Sequence, residues 1–393
     1  MDKVGGFEPL DCSRHHARLL DAINGFRDNG TLDGAIVTSS ANVRWLTGFT
    51  GSSGVAIARP GEPLFLITDG RYTEQAKHEA AACRVSLEVV TRSSMTEMRD
   101  AIAEVIVRGS LWGIEADNVS LSDHEALLAT CGRRGVPLER RNFVDITSLF
   151  VGLRRTKSPA EIQRIRHAAQ VADRALADVA HLVRVGTSER QFRNELDAAM
   201  RRHGADDVSF ATIVASGPNA ALPHHHPGDR SFDAGDAVVV DFGALVDGYH
   251  SDMTRTFVID GPGSTDMLVR HDLVRRACEA GVAVVGPGVK ASDIDAACRS
   301  VLASGGLEAE LTHGVGHGVG LQIHEAPWIN SRSTDVLQPG DVVTVEPGAY
   351  RVGLGGVRVE ELLVVTESGH LVLTRSPKEP TCPQSPRTTS RTG

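Results

Sequence analysis

Two stretches of this chain, "FDAGDAVVVDFG" and "LQPGDVVTVEPG", are built alike. Each has a Gly-Asp turn, a β-branched run, and an acid five positions after the turn aspartate. Some fifty residues upstream of each, a glycine ends one helical pattern and a serine stands ready to cap the next. These are Gly186 and Ser188 in "VRVGTSERQFRNELDAAM" and Gly288 and Ser292 in "VVGPGVKASDIDAACRSVL". Gly235 and Gly340 are 105 residues apart, Gly186 and Gly288 102 apart. The matched order predicts two copies of a helix–helix–hairpin unit, related by a pseudo-twofold axis and facing each other with their acids at the seam.

The rest of the chain frames this repeat. "KSPAEIQRIRHAAQVADRALADVAHLV" opens a long helix, with Ser158 as N-cap, Pro159 at the first helical position and Glu161 completing a capping box. Upstream, helical windows alternate with short strand-like runs such as "GAIVTSS", "VSLEVV" and "LWGIE", the pattern of a small α/β domain. The expected organisation is therefore an α/β (α+β) chain with an N-terminal domain over 1–153 and a pseudo-symmetric domain over 154–375. The Pro/Ser/Thr-rich tail, 376–393, is expected to be disordered.

With 41% hydrophobic and 23% charged residues, the 393-residue chain reads as globular, and its net charge of −9 argues against a nucleic-acid partner. No apolar run reaches the roughly 20 residues of a membrane span, and no secretory h-region opens the chain. The six scattered cysteines fit reduced thiols in the cytoplasm.

The chemistry lies in the repeat. Asp241 ends "AVVVD", and Asp252 follows across a turn; Glu346 ends "VVTVE", and Glu360 follows across another. Acids among valines are costly to bury unless paired or metal-bound. Four converging carboxylates require a cation, because their mutual repulsion otherwise keeps some protonated. "LTHGVGHGVGLQIHE" adds His313, His317 and His324. Carboxylates with an imidazole suit Mn, Fe, Co or Zn, and two such ions about 3.5–4 Å apart make a hydrolytic centre.

The order Asp241, Asp252, His317, Glu346, Glu360 resembles the five-ligand signature of the pita-bread metallopeptidases. "HGVGHGVGLQIHE" is similar to the segment of their proline-specific branch, aminopeptidase P and prolidase. The resemblance covers the second domain, and a small first domain also fits that branch. It implies two divalent ions, expected to be Mn2+ with Co2+, Fe2+ or Zn2+ as alternatives. Asp241 would chelate one ion, Asp252 and Glu360 would bridge, and His317 would bind the second. Glu346 would complete the shell and handle the proton of a metal-bridging hydroxide. His224, His313, His324 and Tyr350 would meet the substrate, His224 and His324 with catalytic roles, and Arg358 would steady a ligating acid. His225 and His226 read as solvated loop residues. "SANVRWLTGFTGSSG" resembles a segment of aminopeptidase P-like proteins in which Arg44 and Trp45 would lean over an active site; ordinary packing is the competing reading of Trp45.

The implied activity is an Xaa-Pro aminopeptidase acting on peptides with proline at the second position, as a cytoplasmic homodimer. An Xaa-Pro dipeptidase is the alternative. A non-catalytic peptide-binding module is more remote, since none of the five ligand positions is lost.

Overall fold

The computed structural model describes residues 6–26, 31–106, 111–135 and 137–381. The chain separates into two compact units, with the break in contacts between Arg154 and Arg155.

The first unit is built on a six-stranded mixed sheet. Its strands lie in the order Leu87–Arg92, Leu64–Asp69, Gly54–Ala58, Gly34–Val37, Trp112–Ile114, Phe143–Asp145. The "GVAIARPGEPLFLIT" segment forms the expected antiparallel pair. Ile36, Ile57, Ile67, Trp112 and Ile114 pack from the sheet onto Met98, Ile102, Leu127 and Cys131 of two helices. The segment "SANVRWLT" is itself a helix, Ser40–Thr47, closed by Gly48 in the left-handed region. Trp45 on it is 1% exposed, stacked on His15 at 4.3 Å and edge-on to Phe150. Packing inside its own unit, not a reach toward an active site, accounts for this tryptophan.

The second unit shows the repeat in its hydrogen bonds. Each half has a helix pair, Pro159–Val179 with Glu189–Arg202 and Ser264–Val284 with Ala291–Ser304. Each pair leads into an antiparallel strand pair, Ala237–Phe242 with Met253–Val258 and Val342–Val345 with Glu361–Thr366. Gly235 N–H donates to the Ile259 carbonyl at 3.0 Å, and Gly340 N–H to that of Val365 at 2.9 Å. Asp236 and Asp341 return the bond, accepting from Ile259 and Val365. Both turn glycines have φ near +90°, and a Cβ on Gly235 would lie 2.0 Å from the Pro262 carbonyl oxygen. Left-handed backbone and close approach together exclude other residues there.

The helix starts differ between halves. Ser158 and Glu161 form their capping box, and Ser188 accepts from Gln191 N–H at 3.1 Å. Ser292 does not cap: the second-half helix begins at Ala291, with Lys290 in the cap position. The offset explains this, since Ser188 lies two residues after Gly186 and its counterpart after Gly288 is Lys290.

The stretch expected to begin a disordered tail is tied down as far as it is described. The buried Arg255 guanidinium donates to the Ser376 and Pro377 carbonyls at 3.0 and 3.1 Å. Val258 N–H donates to Pro380 at 2.7 Å, and Lys378 pairs with Glu361 at 2.6 Å. Backbone acceptors supply what composition could not reveal. Residues 382–393 of the expected tail lie outside the described residues. No helix among the described residues is long and apolar enough to cross a membrane.

Candidate active site

The valine-rich strand Ala237–Phe242 carries Asp241 near its end, and Asp252 precedes the partner strand by one residue. In the other half Glu346 follows Val342–Val345, and Glu360 precedes Glu361–Thr366. Strand pairing thus brings four acids to one end of two sheets. Asp241, Asp252 and Glu360 offer carboxylate oxygens all within 4.8 Å of one another. His317, on the strand Gly316–Gly318, places Nε2 3.5 Å from both Asp252 and Glu346.

Electrostatics show how costly this gathering is without a cation. Burial, then the charges of Glu360, Asp241 and Glu346, pushes the Asp252 carboxyl well above the usual carboxylate range. Burial, then Glu346 and Asp241, does the same to Glu360. Glu346 is raised to about 7, again mainly by burial, with Arg358 opposing. Asp241 Oδ1 and Glu360 Oε1 are buried with no hydrogen-bond partner. Unfilled lone pairs, hard oxygen donors and a neighbouring imidazole suit divalent cations. The donor set therefore fits the expected metals.

The imidazole is prepared for that role. His317 Nδ1 faces the Gly318 carbonyl at 3.0 Å, which places its proton there and leaves the Nε2 lone pair toward the acids. Burial lowers its pKa to about 4, so the ring is neutral near pH 7.

A second chain of polar contacts starts at Asp241. Arg358 Nη2 donates to Asp241 at 2.5 Å, Nε to Thr254 at 3.0 Å and Nη1 to the Tyr350 hydroxyl at 2.9 Å. Tyr350 lies 2.9 Å from His313 Nε2, and His313 Nδ1 donates to the Gly314 carbonyl at 2.5 Å. The tyrosine hydroxyl consequently donates to His313. Burial, reinforced by the Arg358 charge, lowers the His313 pKa to about 4.

His324 is exposed, with its ring centroid 4.5 Å from that of His317. Burial of part of the ring lowers its pKa, with Asp241 opposing and His224 assisting. His224 is likewise exposed, and its charge is felt at both His313 and His324.

Two residues escaped the sequence reading. His225 is not a solvated loop residue, because its Nε2 donates to the buried Glu189 at 2.8 Å. His226 is exposed, as expected. Trp328 was not singled out, yet it sits among the site's rings: its centroid is 6.4 Å from His317 and 6.5 Å from His324. Only the strand register that pairs it with His317 could have shown this.

Comparison with known proteins agrees with this architecture. Residues 163–367 match the model of metallopeptidase family M24, and residues 18–156 that of the creatinase/prolidase N-terminal domain. An uncharacterized peptidase of Bacillus subtilis is 37% identical over 350 residues, covering 88% of this chain and 95% of that protein. The structure of an Xaa-Pro dipeptidase from Bacillus anthracis superposes with a TM-score of 0.85 at 35% identity, covering 94% of this chain and 99% of the other. An X-Pro aminopeptidase from Thermotoga maritima gives a TM-score of 0.80 at 31% identity, covering 93% and 99%. The chain therefore belongs to the M24 metallopeptidases, with a pita-bread catalytic domain behind a creatinase/prolidase-type N-terminal domain.

Proposed function

We propose that the chain is an Xaa-Pro aminopeptidase, hydrolysing the bond between an N-terminal residue and a following proline. Convergence of Asp241, Asp252, Glu360, His317 and Glu346 carries the reading, as the ligand set for two divalent ions. Bound there, the ions would polarise the scissile carbonyl and lower the pKa of water, making a nucleophile available near neutral pH. Glu346 takes up and returns the proton at its carboxylate. His324, open to the cleft, offers its N–H to the oxygen on which charge develops. His313 and Tyr350 receive the proline ring, and His224 faces the substrate beside them. Arg358 holds Asp241 in place through its short bond.

A cytoplasmic homodimer using Mn2+ completes the reading, on the family resemblance and the thiol pattern. The five cysteines among the described residues are all buried.

The choice of aminopeptidase over dipeptidase rests on the resemblance of "TGFTGSSG" to aminopeptidase P-like proteins, and Arg358 is consistent with it. Three of its nitrogens are committed to Asp241, Thr254 and Tyr350, so it does not clamp a dipeptide's terminal carboxylate. The likeness to an Xaa-Pro dipeptidase at 35% identity favours the second reading, the same chemistry on dipeptides. Cleavage of Arg-Pro-Pro and Gly-Pro, on metal-stripped enzyme with and without Mn2+, separates them. Metal-restored release of arginine from the tripeptide supports the aminopeptidase. Cleavage of the dipeptide alone makes it a dipeptidase, and silence on both defeats the peptidase reading.

A further inference from the structure

Trp328 is the cross-strand partner of His317 in the antiparallel pair Gly316–Gly318 with Glu325–Ile329. Opposed residues on paired strands project to the same face. The indole therefore shares the face of His317, and it lies at 30° to the His324 ring. Even so, Trp328 is 48% exposed, between buried Pro327 and Ile329. The chain's other two tryptophans, Trp45 and Trp112, are fully buried. Exposure of so large an apolar side chain beside His317 and His324 offers contact area that a bound substrate can cover.

Ring contacts divide the aromatic side chains of the cleft into two groups. His313 meets Tyr350, at 5.4 Å. His317, His324 and Trp328 form the other, with centroids 4.5 to 6.5 Å apart. With the proline ring assigned to the first group and the scissile carbonyl beside His317 and His324, the side chain of the carbonyl-bearing residue falls to the second.

We propose that Trp328 is a specificity-determining wall for the residue preceding proline, selecting large apolar or aromatic side chains there. The inference rests on the Xaa-Pro reading above. Its neighbours set the chemistry. Two imidazoles flank the indole, and the adjoining cluster would carry divalent cations, so a cationic side chain is repelled while an apolar one gains contact area. The Asp335 carboxylate, which accepts from the Trp328 backbone N–H at 3.2 Å, pairs with Arg155 at 3.1 Å.

The test compares the full chain with its Trp328→Ala and Trp328→Phe variants, Mn2+ added, on Phe-Pro-Pro and Gly-Pro-Pro, or on Phe-Pro and Gly-Pro should only dipeptides be cleaved. Trp328→Ala is expected to lower the ratio of kcat/KM for the Phe substrate over the Gly substrate roughly tenfold, while Trp328→Phe keeps most of it. Equal losses on both substrates would make Trp328 only a prop for His324 and overturn the proposal, as would no loss on either. A second readout does not need turnover. Because Trp45 and Trp112 are buried, acrylamide quenching reports on Trp328. A reduced-bond analogue of Phe-Pro should shield it, and the Gly-Pro analogue should not; equal shielding counts against the proposal. If the wild type cleaves no Xaa-Pro bond, the peptidase reading falls and takes the proposal with it; if it cleaves both substrates and Trp328→Ala leaves their ratio unchanged, only the proposal falls.

Discussion

Glu189 accepts a hydrogen bond from His225 Nε2 at 2.8 Å, across 36 residues of sequence. The same buried carboxylate also accepts from Ser216 N–H and hydroxyl, Asn219 and Gly228 N–H, at 2.8–3.1 Å. Burial alone would raise its pKa, but donations led by Asn219, Gly228 and His225 outweigh it and hold the carboxyl below its usual value. Glu189 thus anchors the loop that carries His224. Glu189→Ala strands those donors, and the chain should lose about 3 kcal/mol of unfolding free energy. His225→Asn should lose about 1 kcal/mol. Urea denaturation of both variants checks this; an Ala variant as stable as wild type would show that the loop is anchored elsewhere.

Asp252 sits where three other acids raise its pKa after burial has done so. Asp252→Asn is expected to abolish turnover and weaken metal binding, because a ligand loses its charge. The same neutralisation relieves repulsion, so at pH 8 the metal-free variant should melt above metal-free wild type. Metal content, turnover and melting temperature are the readouts. Wild-type activity in Asp252→Asn would break the ligand assignment.

The two neighbouring histidines should separate cleanly. His317 points an unprotonated nitrogen at Asp252 and Glu346, whereas His324 stands exposed beside it. His317→Ala should lose metal. His324→Ala should keep it while turnover falls roughly a hundredfold or more, the scale of a lost transition-state donor. Metal analysis of the purified variants decides, and the reverse pattern would exchange their roles.

A pH effect is expected away from the site. Burial, followed by the Arg275 charge, lowers the His271 pKa to about 4, and its Nε2 has no hydrogen-bond partner. The folded pKa is below the unfolded one, near 6.5, so the unfolded chain binds the proton more readily. The stability this neutral ring allows is fully present above about pH 6.5 and is lost as pH falls through about 4, by roughly 3 kcal/mol in all. His271→Leu should remove that part of the slope. Denaturation of metal-free wild type and variant at pH 7 and pH 4.5 measures it; parallel slopes would rule it out.

Sequence patterning revealed the elements with local signatures. The capping box at Ser158, the Gly-Asp turns at Gly235 and Gly340, and the acids that end valine runs are each set within a few residues. Their recurrence implied the two halves, which the matched hydrogen bonds of Gly235 and Gly340 display. What escaped depends on partners distant in the chain. Which histidine of "HHH" turns inward is settled by Glu189, and Trp328 joins the site only through its register with His317. Trp45 could be read either outward or inward because a short helix shows no face until His15 and Phe150 close on it. The 376–381 segment lacks apolar residues, so nothing in its composition announces the guanidinium that binds it.

That strap has a practical bearing on trimming. Arg255 also donates to the Glu360 carbonyl, so the residue holding Ser376 and Pro377 also holds the backbone of a candidate ligand. A C-terminal deletion series should not decline evenly. Ending the chain at 381 leaves every one of these acceptors in place. Ending it at 375, where composition would invite the cut, takes the Ser376 and Pro377 carbonyls from a buried cation that shares its strand end with Asp252, and proteolysis there is expected to inactivate without touching the cleft.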